Sequence, residues 1–241
     1  MKISLIVPAF NEERLLPGTL ASIRAAAAAF DARGWERELI VCDNNSTDRT
    51  AEIAREAGAI VVFEPHNQIA RARNAGASRA CGDWLVFVDA DSQPSRELFD
   101  DVAAQIAGGR CLAGGCTVVL DSDRPAAWFY ARLWNALSRM NKWGAGSFIF
   151  CSAALFREVG GFSRDLYAAE EIDLFRRLKL AAREKERTVV ILHRHPLATS
   201  DRKIRLYSVA EQLAFLARTT LSAGRTLRSR SGCYPWYDGR R

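Results

Sequence analysis

The segment Asp83 to Ser95, DWLVFVDADSQPS, carries an apolar run, Trp84 to Val88, that stops at two carboxylates, Asp89 and Asp91, before Ser92, Gln93 and Pro94. Consecutive aromatic and β-branched residues without polar alternation suit a short strand buried on both faces. Such a strand belongs inside a parallel sheet covered by helices, so the flanking sequence should alternate strand and helix. The chain does so: strands are read over residues 3–9, 38–43, 59–64 and 84–89, with helices over 14–30, 48–57 and 69–81 between them. Ser46 or Thr47 is expected to cap the helix over 48–57, and Gly58 to stop it.

Beyond Asp91 the rhythm loosens. A helix is expected over 95–107, a long strand over 110–121 (RCLAGGCTVVLD) and an aromatic helix over 126–142. SFIFCSAALFREVGGF reads as a strand, then a helix stopped at Gly160 and Gly161, and EEIDLFRRLKLAARE as an amphipathic helix. RTVVIL reads as a further strand and residues 204–223 as a last helix.

With 241 residues, 49% hydrophobic and 26% charged, the composition fits one folded α/β body. Its apolar runs fall far short of the roughly 20 residues that span a bilayer. Met1 and Lys2 lead directly into a strand with no secretory pattern, so a cytoplasmic location is expected. The six cysteines form no C-x-x-C pair and read as buried free thiols. Much of the net charge of +6 falls after residue 200, in DRKIRLYS, RTLRSRS and GRR. Such a tail is either simply solvated or in contact with anionic lipid, nucleic acid or a phosphorylated substrate.

Ligands of an open parallel sheet gather beyond the carboxyl ends of its strands. Here those ends read PAFNEE (Pro8 to Glu13), CDNNSTD (Cys42 to Asp48) and DADS (Asp89 to Ser92). Asp89 and Asp91, read as extended chain, put two carboxylates on one side, where they suit a hard cation such as Mg²⁺ or Mn²⁺ with positions left for diphosphate oxygens. An isolated D-x-D is equally a turn or cap; its place at the fourth strand's end is what gives it weight.

Taken together, ISLIVPAFNEERLLPGTLASI, ELIVCDNNSTDRTAEIA, NQIARARNAGASRACGDWLVFVDADS, GGFSRDL and EEIDLFRRL resemble, in family order, a family 2 glycosyltransferase with the GT-A fold. The resemblance implies a Rossmann-like, mostly parallel central sheet flanked by helices, with a less regular acceptor-side half. It implies nucleotide-sugar contacts at Pro8, Ala9, Phe10, Asn11, Glu12, Asp43, Arg71, Asp89 and Ala90, the metal on Asp91 and Asp89, and single-sugar transfer, since the Q-x-x-R-W motif of processive synthases is absent. Glu171 stands where the family usually has an aspartate base, leaving Glu170 and Asp173 as alternatives; three acids at a helix start also favour the helix dipole. His195 in HRHP is a further metal-ligand candidate, as some GT-A enzymes bring a late-strand histidine to the metal, although an isolated H-x-H is most often structural. Arg202 and Lys203 in TSDRK are candidates for the donor diphosphate.

The expected organisation is a GT-A domain over 1–203, its nucleotide-sugar part about 1–110 and its acceptor part about 111–203, followed by a C-terminal helix and basic tail over 204–241. The expected function is metal-dependent, inverting transfer of one sugar from a nucleotide diphosphate sugar to a hydroxyl acceptor. A nucleotidyltransferase is disfavoured by the acidic loop after the first strand, where a glycine-rich basic phosphate loop would be needed. A non-catalytic nucleotide- or carbohydrate-binding protein is disfavoured by the intact acids, and a nucleic-acid partner by the lack of a motif. The apolar Leu206, Val209, Leu213, Phe215 and Leu216 with Arg218, Arg225, Arg228 and Arg230 suggest peripheral contact with the inner face of a membrane; packing on the catalytic domain, or closure of the CYPWYD tail over the acceptor pocket, is the alternative.

Overall fold

The computed structural model describes residues 1–237. In chain order these run β1 (Lys2–Ala9), α1 (Leu16–Ala26), α2 (Ala28–Asp31), β2 (Glu36–Asp43), α3 (Thr50–Glu56), β3 (Ile60–Phe63), α4 (Ile69–Arg79), β4 (Trp84–Val88), β5 (Ser92–Gln93) and α5 (Arg96–Ala107). There follow β6 (Cys111–Asp121), α6 (Pro125–Asn141), β7 (Phe148–Ser152), α7 (Ala153–Glu158), α8 (Glu170–Glu184) and β8 (Thr188–Ser200), then α9 (Arg202–Leu206), α10 (Val209–Leu221), a 3₁₀ turn (Arg225–Arg228) and α11 (Tyr234–Tyr237).

The strands form one eight-stranded sheet in the order β3-β2-β1-β4-β7-β6-β8-β5. The first four are parallel, as expected of the nucleotide half. Past β4 the sheet is mixed: β7 is antiparallel to β4 and β6, β8 is parallel to β6, and β5 is antiparallel to β8. The expected strand over 187–192 is only the start of β8, which runs on through His193, His195 and Thr199 to pair with β5.

Strand alternation splits the core between the two faces of the sheet. Leu5, Val7, Val86 and Val88 pack with Leu20, Phe30 and Phe99 of α1, α2 and α5. Ile6, Leu85 and Phe87 pack on the other face with Phe156, Leu174 and Phe175 of α7 and α8. The thiols of Cys42, Cys111, Cys116, Cys151 and Cys233 are buried; Cys81 is exposed.

Helix ends correct several expectations. The helix expected over 14–30 starts at Leu16, one residue before Pro17, and is interrupted at Ala27. The cap expected from Ser46 or Thr47 is not made: the Ser46 hydroxyl accepts from Asn11 N, and Asp48 Oδ1 accepts from Thr50 N at 3.0 Å. Gly58 and the Gly160–Gly161 pair stop their helices in the left-handed region, as expected. The last helix is two, because Ser208 and Glu211 build a capping box that starts α10 afresh.

The seat of α4 on the sheet depends on a glycine. A Cβ on Gly76 would lie 2.5 Å from Ile6 Cγ2 in β1. Gly76→Ala is therefore expected to cost about 1–3 kcal/mol by overpacking, read as a lower urea midpoint with unchanged m-value.

Candidate active site

The acids at the end of β4 are answered by buried arginine. Arg73, on the sheet-facing side of α4, is 1% exposed and donates from Nη1 to Glu170 Oε1 at 2.7 Å and from Nη2 to Asp89 Oδ1 at 2.9 Å and Gly146 O at 2.7 Å. Its guanidinium carbon lies 5.1 Å from the Phe162 ring centre. Burial alone would push this guanidinium down, but the carboxylates of Asp89, Glu170 and Glu171 more than offset it and hold Arg73 above the ordinary arginine value. The strand end thus meets the first turn of α8, from the other half of the chain.

A second arginine closes the opposite side. Arg202, just after β8, grips Glu12 with Nη1 at 3.0 Å and Nη2 at 2.6 Å, and Nη2 reaches Asp91 Oδ2 at 3.3 Å. Burial opposes its charge, and Glu12, Asp91 and Asp89 outweigh that burial and raise it. The side chain of Lys203 lies outside the described ones.

Beside Arg202 a cleft opens along the strand ends. Pro8, Ala9, Phe10 and Glu12 from the end of β1, and Asp89, Ala90 and Asp91 from the end of β4, line it, as expected of strand ends. Asp89 and Asp91 are not in extended chain: β4 ends at Val88, and Asp89 O accepts from Ser92 N at 3.1 Å to close a turn. Both nevertheless line the cleft.

Other expected residues stand behind it. Asn11, in the left-handed region at φ 51°, offers Oδ1 to Thr47 N at 2.8 Å; Asp43 Oδ1 accepts from Ser46 N at 3.0 Å. Together they fix the two loops at the ends of β1 and β2. Arg71 donates from Nε to Gln68 Oε1 at 3.1 Å and does not line the cleft; Arg73, two residues on, reaches the acids instead. His195 is directed elsewhere, its Nδ1 3.0 Å from Asp101 Oδ2 of α5, and it too is absent from the lining.

The three acids of α8 separate. Glu170 is buried on Arg73, and Asp173 accepts twice from Arg177, at 3.0 and 2.6 Å. Glu171 lies over Gly146, where an added Cβ would be 3.6 Å from its Cδ, and acts on Arg73 and on Tyr130 of α6. Burial first, and Glu171 second, push the Tyr130 hydroxyl up.

Further residues complete the lining. Asn44 bonds Glu64 O, His66 O and Gln68 N, so its amide folds the loop after β3 along the cleft edge. Leu206, Pro235 and Tyr237 form a wall from the C-terminal segment, and the Tyr237 hydroxyl accepts from Ile69 N at 3.3 Å. The ring of Tyr237 meets that of Tyr167 edge-on at 5.4 Å, and Leu227 O accepts from Tyr167 N at 2.7 Å. The described part of the segment therefore packs on the catalytic domain. The side chains of Val209, Leu213, Leu216 and Trp236, and residues 238–241, lie outside the described ones.

The cleft's acidic side chains offer only carboxylate oxygens, a donor set that suits Mg²⁺ or Mn²⁺. Among the described residues no three His, Cys, Asp or Glu side chains converge as a complete metal cage. An ion here fits only with oxygens from a ligand or water completing its shell.

Removing Arg73 strands two carboxylates. Arg73→Met is expected to lose about 3–5 kcal/mol of stability, the usual cost of breaking a buried ion pair from one side. Adding Glu170→Gln to that variant should restore part of it, and urea denaturation of both, with Glu170→Gln alone, measures the coupling.

The family model described as "Glycosyl transferase family 2" matches residues 4–159. An uncharacterized glycosyltransferase of Mycobacterium tuberculosis is 34% identical over 113 residues, 47% of this chain and 47% of that protein. The chain spans about half or less of the length of the curated relatives it matches. Among solved structures, S. aureus TarS 1–349 in complex with UDP-GlcNAc superposes with a TM-score of 0.65 at 22% identity, covering 93% of this chain and 66% of that one. The mannosyltransferase PcManGT from Pyrobaculum calidifontis, in complex with GDP-Man and Mn²⁺, gives a TM-score of 0.65 at 19% identity over 93% of this chain and 62% of that one. At these identities the likeness is one of fold, the GT-A arrangement of a curled sheet with flanking helices. With the family model covering well over half of its residues, the chain belongs to glycosyl transferase family 2.

Proposed function

We propose that the protein transfers one sugar from a nucleotide diphosphate sugar to a hydroxyl acceptor, with inversion and with a divalent metal ion. The observation that carries this reading is the Arg73 bridge, because it ties Asp89 of the donor cleft to the turn that presents Glu171. Donor and acceptor chemistry then share one rigid frame.

In this reading the nucleoside lies along Pro8 to Phe10 and Asn44, with Asp43 and Asn11 holding the loops behind it. Arg202 is placed to turn toward the diphosphate while remaining near Asp91. Asp91, with Asp89, would hold Mg²⁺ or Mn²⁺, which when bound neutralises charge on the departing diphosphate. The GDP-Man and Mn²⁺ in the PcManGT complex and the UDP-GlcNAc in the TarS complex support a donor of this class.

Glu171 is the proposed base. From the first turn of α8, lying over Gly146, it would take the acceptor proton as the acceptor oxygen attacks the anomeric carbon. The bond from that carbon to the diphosphate breaks on the opposite side, which inverts the configuration.

A panel of UDP-, GDP- and dTDP-sugars, with and without Mn²⁺, tests donor binding by thermal stabilisation, since a ligand of the folded state alone raises its melting point. A metal-dependent rise with one donor group is expected, and Asp91→Ala should abolish it without lowering the ligand-free melting point by more than a few degrees. No shift with any donor would contradict the reading. Glu171→Gln should keep donor stabilisation and lose roughly 10²–10⁴-fold in transfer rate; normal transfer by this variant, with loss in Asp173→Asn, would move the base to Asp173.

A further inference from the structure

The helix α6 packs Trp134 against the core but carries most of its other large side chains on the outward side. Toward the fold it presents Ala127, Ala131 and Ser138, all buried, and the Asn135 amide, which bonds Val118 N at 2.9 Å and Val118 O at 2.8 Å. Away from the fold stand Trp128 (60% exposed), Phe129 (65%), Leu133 (51%) and Met140 (77%). Phe129, Leu133 and Met140, with Leu137 between, recur at three- and four-residue spacing, so they form one continuous apolar stripe. A contiguous exposed stripe of this kind marks an interaction surface.

The helix itself carries charge of one sign, with Asp121 and Asp123 just before it and Glu171 of α8 acting on Tyr130. From Arg124 to Arg157 the sequence holds no Asp or Glu, while Arg124, Arg132, Arg139 and Lys142 lie on or next to the helix. The Arg132 guanidinium lies 4.6 Å from the Trp128 ring centre, and Lys179 of α8 donates to Asn141 O at the helix end. An apolar stripe edged by arginine and tryptophan is the pattern of a helix lying in a lipid interface. No helix among the described residues is long and apolar enough to cross a membrane, so the contact is with the surface.

We infer that α6 docks the protein on an anionic lipid surface through Phe129, Leu133, Leu137 and Met140, with Arg132 and Arg139 meeting the headgroups. Continuity with the site gives this contact a use: Lys179 of α8, the helix that carries Glu171, donates to Asn141 O at the end of α6 at 2.8 Å. Resting on the proposed role of Glu171, the docked helix would turn the acceptor side of the cleft toward an amphiphilic acceptor held in the bilayer. This contact is distinct from the one expected of the C-terminal segment, where Leu227 and Tyr237 pack on the domain.

Co-sedimentation of the full chain with phosphatidylcholine vesicles, with and without 30% phosphatidylglycerol, at low and high salt, tests the inference. Binding is expected with the anionic vesicles at low salt, weakened at high salt. It should fall at least tenfold both in Phe129→Ser/Leu133→Ser/Met140→Ser and in Arg132→Glu/Arg139→Glu, with melting temperatures held near wild type because these side chains are exposed. Arg225→Glu/Arg228→Glu should bind as wild type. The inference is overturned by no vesicle binding at low salt, by binding that survives both α6 variants, or by a wild-type dimer in light scattering that the α6 variants convert to monomer while vesicle binding is absent. The donor-dependent thermal shift is measured without vesicles, so failure of docking and failure of the donor reading are told apart.

Discussion

A guanidinium buried among apolar side chains is tolerated only where its charge is met, and Arg73 meets that constraint through Nη1 and Nη2 with groups from three separate places, while its buried Nε–H has no partner among the described residues. Asp89 comes from the end of β4, Glu170 from the start of α8 and the Gly146 carbonyl from the loop before β7. None is close to Arg73 along the chain. The Arg73–Glu170 pair forms only when both halves of the chain are assembled, and removing either partner leaves a buried charge in a low-dielectric interior. This makes the arginine a clamp between the cleft and the turn bearing Glu171.

The loop between α7 and α8 is clamped in the same way. Asn74, the next residue on α4, bonds Phe162 N and O at 2.9 and 2.8 Å, while Gln68 donates to Arg164 O and Leu166 O. Arg177 of α8 donates to Val159 O and Gly161 O. One short helix therefore fixes the segment leading to α8 through side chains alone. On the far wall, Arg202 joins Glu12 and Asp91. Around the cleft, the carboxylates of Glu12, Asp89, Asp91, Glu170 and Glu171 outnumber the guanidiniums of Arg73 and Arg202, an excess of negative charge that favours a divalent cation.

The parallel half of the fold was legible because its strands are short, apolar and ended by polar loops, and strand ends of such sheets converge. That rule located Pro8 to Glu12 and Asp89 to Asp91 at one cleft before any coordinates. What stayed hidden depends on long-range partners. Arg71 and Arg73 look alike in ARAR, and only the packing of α4 on the sheet shows which one turns inward to the acids. His195 in HRHP stands as a metal-ligand candidate in the sequence until α5 is placed, when its Nδ1 meets Asp101. The α6 sequence reads as an aromatic helix, and which of its faces turns inward follows from Trp134, small residues and Asn135 against the sheet, a preference that periodicity does not rank. The CYPWYD tail, read as able to close over a pocket, brings Pro235 and Tyr237 to the cleft, but which wall they form depends on chain reversal beyond the matched motifs.

The most direct measurement is the anomalous scattering of manganese in crystals of the wild-type chain grown with Mn²⁺ and the nucleoside diphosphate that gives the largest thermal shift. The account predicts a manganese peak bonded to an Asp91 carboxylate oxygen and to the diphosphate, with Arg73 still joining Asp89 to Glu170. A peak away from Asp91, or a bound nucleotide with the Arg73 bridge broken, would contradict it.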